Sequence, residues 1–146
     1  AAGADHFVVS GIAGGVAGST GGVTVVAVDA DNNTTPTYTG TVHFTSSDAH
    51  AVLPADYTFV SGDNGTHTFG GITLVTAGSQ SVTATDTVFA AVTGTQSGIV
   101  VTAAGATSLT VVGIASGVAN DAASATVTAR DPYGNPALSY VGTVHF

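Results

Sequence analysis

The chain has 146 residues, 44% of them hydrophobic, and a formal net charge of −8: all nine acids are Asp, and Arg130 is the only strong base. Neutralising phosphates takes clusters of Lys and Arg, so nucleic acid and anionic membrane surfaces are excluded as partners. Cys is absent, which excludes disulfides, thiolate nucleophiles and thiolate metal ligands.

Gly (20 residues), Thr, Val, Ala and Ser dominate, and strong helix formers are scarce. Branched β-carbons pack well on a pleated surface, while Gly, Asn and Asp supply turns, so the chain reads as all-β. Period-two alternation then places the strands. "HFVVSGIA" puts Phe7 and Val9 on one face, and "GVTVVAVDA" turns Val23, Val25 and Ala27 inward. The opposite face of that strand reads Thr24, Val26 and Val28, so Val26 and Val28 are expected to be covered by a neighbouring domain, subunit or loop and to mark an assembly interface. After a turn at "DADNN" (Asp29), "GTVHF" points Val42 and Phe44 inward and Thr41 and His43 outward. Further strands are expected at "YTFV" from Tyr57, "THTFGGITLV" from Thr66, "QSVTATD" from Gln80 and "GIVVTA" from Gly98, with turns at Ser61 and Thr76. Gly70 and Gly71, inside a strand-like run, predict a bulge.

Sliding the chain by 102 residues aligns residues 1–44 with 103–146 without a gap and with 22 identities in 44 positions. The matches include "AAGA" at both starts, Asp29 with Asp131, Asn33 with Asn135, and the closing "GTVHF". A period near 100 residues is too long for a solenoid unit and suits a tandem array of β-sandwich domains. Residues 1–102 are therefore expected to form one complete immunoglobulin-like antiparallel sandwich of about seven strands. Residues 103–146 are expected to form the first part, about three strands, of a second, incomplete unit, with Val127, Val144 and Phe146 left uncovered.

The order of motifs resembles the bacterial Ig-like domains of invasin and intimin type. "DPYGNP" from Asp131 leads into "YVGTVHF", and the complete copy goes on through "DNGTHTF" from Asp63 and "TAGSQSVTATD" from Thr76 to "GIVVTA". It is similar also to the order in filamin-type Ig repeats. The first copy departs from the pattern with Asp29-Ala-Asp-Asn-Asn33, which lacks the Gly and Pro of the turn. The resemblance implies a stalk or spacer role in a surface protein and implies no chemistry.

Asp29, Asp31 and Asn33 match the opening of a calcium loop, in which alternate side-chain oxygens converge on one ion. The rest of such a loop is missing, and the second copy has Tyr133 in place of Asp31. The segment is therefore expected to be a turn first, with calcium as the only candidate cofactor and with extra oxygens needed from Asp5, Asp48 or a neighbouring domain. His43 and His145 recur at one phase, but two residues do not make a zinc site, and His6, His50 and His67 show no ligand spacing with them. An outward polar or inter-subunit contact is expected there instead. Asn32, Asn33 and Asn64 each begin Asn-x-Thr, a glycan acceptor sequence. No G-x-S-x-G elbow is present, no Glu is available for acid-base duty, and no catalytic residue or enzyme activity is expected.

These features predict a structural or adhesive repeat of a large bacterial cell-surface or extracellular protein, forming a stalk or filament. Its expected partners are neighbouring repeats or identical subunits, together with a host or matrix ligand, through tandem, lateral or strand-donating contacts. No run of about 18 apolar residues spans a membrane, and any export signal is expected outside this segment. The alternative is a glycan- or receptor-binding module, for which Tyr57 and Tyr133 are the aromatic rings expected at the surface.

Overall fold

The computed structural model describes residues 3–146; Ala1 and Ala2, half of the first "AAGA", lie outside the described residues. The alternating β-branched segments form strands, and no α-helix occurs among the described residues. The chain separates into two units, residues 1–102 and residues 103–146.

Unit 1 contains β1 (His6–Ser10), β2 (Gly15–Val16), β3 (Thr20–Val28), β4 (Thr41–Ser46), β5 (Tyr57–Thr58), β6 (Thr66–Thr73), β7 (Gly78–Asp86) and β8 (Thr93–Thr102). One sheet has the order β1-β3-β6 and the other β2-β8-β7-β4-β5. All pairs are antiparallel except β2 with β8. Phe7, Val9, Val23, Val25, Ala27 and Phe69 from the first sheet form one buried cluster with Val42, Phe44, Val82, Ala84, Ile99 and Val101 from the second. This all-β arrangement is consistent with a β-sandwich. Edge-to-face rings occupy its middle: Phe7 on Tyr38 at 5.4 Å, Tyr38 on Phe59 at 5.0 Å and Phe44 on Phe69 at 4.8 Å.

Local rules explain the connections. Gly11, at φ 91°, lets the chain leave β1 and cross to the second sheet. There Gln96 acts as a strand neighbour: its amide donates to the Ile12 carbonyl at 2.8 Å and accepts from the Ile12 N–H at 3.0 Å. The expected bulge is present. Gly21 pairs with Ile72 and Val23 with Phe69, so Gly70 and Gly71 together face Gly22. The outer faces carry cross-strand threonine pairs, Thr83 with Thr95 at 2.7 Å and Thr85 with Thr93 at 2.9 Å.

Val28, expected to be covered by a neighbouring domain, subunit or loop, lies against the turn of its own unit. Val28 is 3% exposed, and Ala27 beside it is also buried, because alternation breaks where β3 runs into the following turn. Its carbonyl accepts the Asp5 N–H at 2.7 Å, and it bridges Thr34 on the far side of the turn. Val26 is half-buried, so the pair does not form an open apolar interface. Val28→Ser is expected to destabilise unit 1 by about 2 kcal/mol, because it removes a buried methyl group and buries a hydroxyl. Val26→Ser is expected to cost less than about 1 kcal/mol. Denaturant midpoints of the two variants check this, and equal midpoints would contradict the difference in burial.

Unit 2 contains β9 (Ser108–Val112) and β10 (Thr126–Arg130), paired antiparallel. Leu109 faces Ala129 and Val111 faces Val127, the register that Phe7 with Ala27 and Val9 with Val25 adopt in unit 1. The third strand expected here is not formed. Residues 143–146 have no strand assignment, although the same "GTVHF" in unit 1 lies within β4, where β5 and β7 flank it. Identical residues thus differ in structure because a strand exists only where a neighbour takes its N–H and C=O groups.

Candidate functional site

The loop that opens with Asp29 is built twice, almost atom for atom. Asp29 Oδ1 accepts the Asp31 N–H at 3.0 Å and the Asn33 N–H at 2.8 Å, and its Oδ2 accepts the Asn33 side-chain amide at 3.1 Å. In unit 2, Asp131 Oδ1 accepts the Tyr133 and Asn135 N–H groups at 2.9 and 2.8 Å, and its Oδ2 accepts the Asn135 amide at 2.8 Å. Asn32 at φ 65° takes the left-handed position that Gly134 occupies at φ 86°, which is how the first copy makes the turn without its Gly. In the first loop, backbone and side-chain bonds from Asn33 hold the Asp29 carboxyl below the usual carboxylate range. Asp29 is thus an acceptor for its own backbone, and Tyr133 at the place of Asp31 leaves the loop unchanged. No group of three His, Asp or Glu able to hold a metal is found among the described residues.

His43 faces outward on β4, and its Nδ1 lies 2.6 Å from Asp56 Oδ1. His145 is exposed and lies outside any strand. His67 pairs with Asp63 at 2.9 Å and stacks on Tyr57 with ring centroids 4.0 Å apart. Tyr57 is half-buried, with its hydroxyl donating to Asp63 Oδ2 at 3.2 Å, so it is not the open ring that its place in the sequence suggested. Tyr133 is exposed as expected, and Phe89, on the β7–β8 connection, is an exposed ring that alternation does not reveal.

Two further polar arrangements involve residues that strand patterns passed over. Asp86 ends β7 and is 1% exposed. Its Oδ2 accepts the Tyr38 hydroxyl at 2.6 Å, and its Oδ1 accepts the N–H groups of Val88 and Phe89 at 2.8 and 2.9 Å. Burial pushes this carboxyl up, but the bond from Tyr38 and the two amides together outweigh burial and hold it below its ordinary range. Burial, and then the bond to Asp86, pushes the Tyr38 phenol well up. Gly40 leaves the space: a Cβ there would collide with both the Asp86 carboxylate and the Tyr38 hydroxyl.

Asp48 makes a second clasp. Its carboxylate accepts the Val75 and Thr76 N–H groups at 2.7 and 3.0 Å and the Thr76 hydroxyl at 2.6 Å, tying the segment after β4 to the β6–β7 turn. Burial raises its carboxyl, and these bonds lower it further than burial raises it. Asp86 and Asp48 each join two loops through these bonds.

Comparison with known protein families, curated proteins and solved structures returns no match for this chain.

Proposed function

We propose that this chain is a tandem immunoglobulin-like segment of a bacterial cell-surface or extracellular protein, and that it works as a stalk or filament unit whose partners are neighbouring repeats. One observation carries the reading. The chain comes into unit 1 beside the start of β8, where Phe7 packs directly on Gly94, and leaves at Thr102, the end of the same strand. The eight residue steps of strand from Gly94 to Thr102 separate the two points by about 26 Å. A unit that takes in its chain at one end and releases it at the other adds length with each copy, and the repeat restarts at Ala103 with no spacer. The switch of the first edge from β3 to β8 through the β1 and β2 segments, and the strand order within each sheet, favour the immunoglobulin-like reading over other two-sheet arrangements.

The role is mechanical. Acceptor side chains clasp the loops, threonine pairs lace the sheets, and the acidic surface keeps units apart from one another in solution. A tandem of residues 1–102 viewed by electron microscopy is expected to form rods that lengthen by a constant increment of about 30–40 Å per copy. Compact particles whose length does not grow with copy number would refute the stalk. Binding of the isolated unit on a glycan array would favour the adhesin reading instead.

A further inference from the structure

We propose that residues 103–146 form a receiving face for a strand set of the kind seen in residues 45–102, and that Tyr140 with Gly142 is the element that recognises the aspartate this strand set carries. This rests on the tandem reading above and specifies which side chains complete a unit.

Unit 1 shows what covers such a face. Phe7, Val9 and Val25 are buried there in one cluster with Val82 and Ala84 of β7 and Ile99 of β8. Their counterparts Leu109, Val111 and Val127 hold the same register, yet Leu109 and Val111 are 43% and 51% exposed, and Phe146, the counterpart of the buried Phe44, is 84% exposed. Apolar side chains fixed at this spacing match alternating apolar residues on an opposing sheet better than they match a smooth lipid or a helix. The occupant is a strand set reaching the face in the order it has in unit 1, through the segment that holds His145 and Phe146. β4 supports that order, since it runs unbroken from Thr41 through Phe44 to Ser46.

The polar half of the face is also ready. Tyr140 N–H donates to the Ala137 carbonyl at 3.1 Å, as Tyr38 N–H does to Thr35 at 3.1 Å. Gly142 lies against the Tyr140 hydroxyl as Gly40 lies against that of Tyr38, so a Cβ would collide with the phenol in either copy. In unit 1 the space beside that glycine holds the Asp86 carboxylate, 48 residues beyond Tyr38. The Tyr140 hydroxyl has no hydrogen-bond acceptor among the described residues, and Tyr140 is partly exposed. A phenol donor beside an open glycine fits one carboxylate oxygen, and the Asp86 arrangement shows the other oxygen fixing the turn that follows.

The test extends the full chain by a second copy of the 45–102 sequence joined to Phe146, and follows amide hydrogen exchange in β9 and β10, with unit 1 as internal reference. Exchange there is expected to slow by about 100-fold or more as the strands join a cooperative unit. Tyr140→Phe, or alanine for the aspartate of the appended copy, is expected to return roughly tenfold of that protection, with unit 1 unchanged. Unchanged exchange in β9 and β10 on extension overturns the receiving face. Full protection that neither variant reduces overturns the recognition element. Rods from tandem copies of residues 1–102, together with an unprotected β9 and β10, sink this inference alone, whereas absence of rods sinks the stalk reading.

Discussion

Replacing Asp86 by Ala is expected to lower the stability of unit 1 by about 3–5 kcal/mol, a large share of what a domain of this size possesses. The magnitude follows from what the carboxylate leaves behind. Tyr38 is fully buried, so its hydroxyl loses its only acceptor among the described residues with no water to replace it, and the N–H groups of Val88 and Phe89 lose theirs as well. Tyr38→Phe removes one donor and keeps the two amides, so about 1.5–3 kcal/mol is expected. Guanidinium unfolding of the variants checks the order, and an Asp86→Ala midpoint equal to that of the parent would refute the clasp.

The same residue sets an acid limit. A carboxyl whose folded-state pKa lies below its unfolded value near 3.9 contributes stability that is fully present above that pH and is lost as the pH falls through the folded value. Asp48 behaves in the same sense. Unit 1 is therefore expected to weaken as pH drops below about 4. Asp86→Asn, which keeps the shape and loses the titration, is expected to flatten that slope, as measured by urea midpoints across the acid range.

The second large effect is expected at Gly94, where Ala should cost about 3 kcal/mol or more. A Cβ at this position would run into the Phe7 carbonyl and its carbon, which are backbone and cannot rotate away. β1 must then lift from β8, and the pairing of Phe7 with Ala27 and Val9 with Val25 is strained with it. Ala at Gly70 meets no atom and keeps an ordinary backbone conformation, so it serves as the control. Hydrogen exchange is expected to accelerate first in β1 for Gly94→Ala and to stay unchanged for Gly70→Ala. Equal exchange in both variants would show that the close approach does not limit stability.

Much of this fold was legible because it is local. The bulge at Gly70 and Gly71 shows as two glycines inside a strand pattern, and the Asp29 loop shows as Asp and Asn four residues apart, the spacing at which a carboxylate reaches backbone N–H groups ahead of it. The clasps were not legible. "TATD" at Asp86 reads as the polar end of a strand, and only the fold brings Tyr38 to it across 48 residues. Asp48 likewise takes its donors from Val75 and Thr76, 27 and 28 residues away, so the sequence offers no spacing to recognise. Parity showed that Val28 needs a cover, but not which one: the turn after it, which bridges back through Thr34, was visible only in the fold.

The two copies separate the contributions cleanly. Alternation, turn residues and the 102-residue period determined the all-β class, the paired Asp loops and the register shared by β1 with β3 and β9 with β10. These depend on neighbours within a few positions or across one hairpin-like pair, and both copies keep the inward apolar positions and the paired Asp and Asn there. Burial was decided only by tertiary structure. Val9 and Val111 occupy matching places in matching strands, yet one lies in a core and the other faces water, because hydrophobic burial belongs to the sheet that packs opposite and not to the strand that bears the side chain.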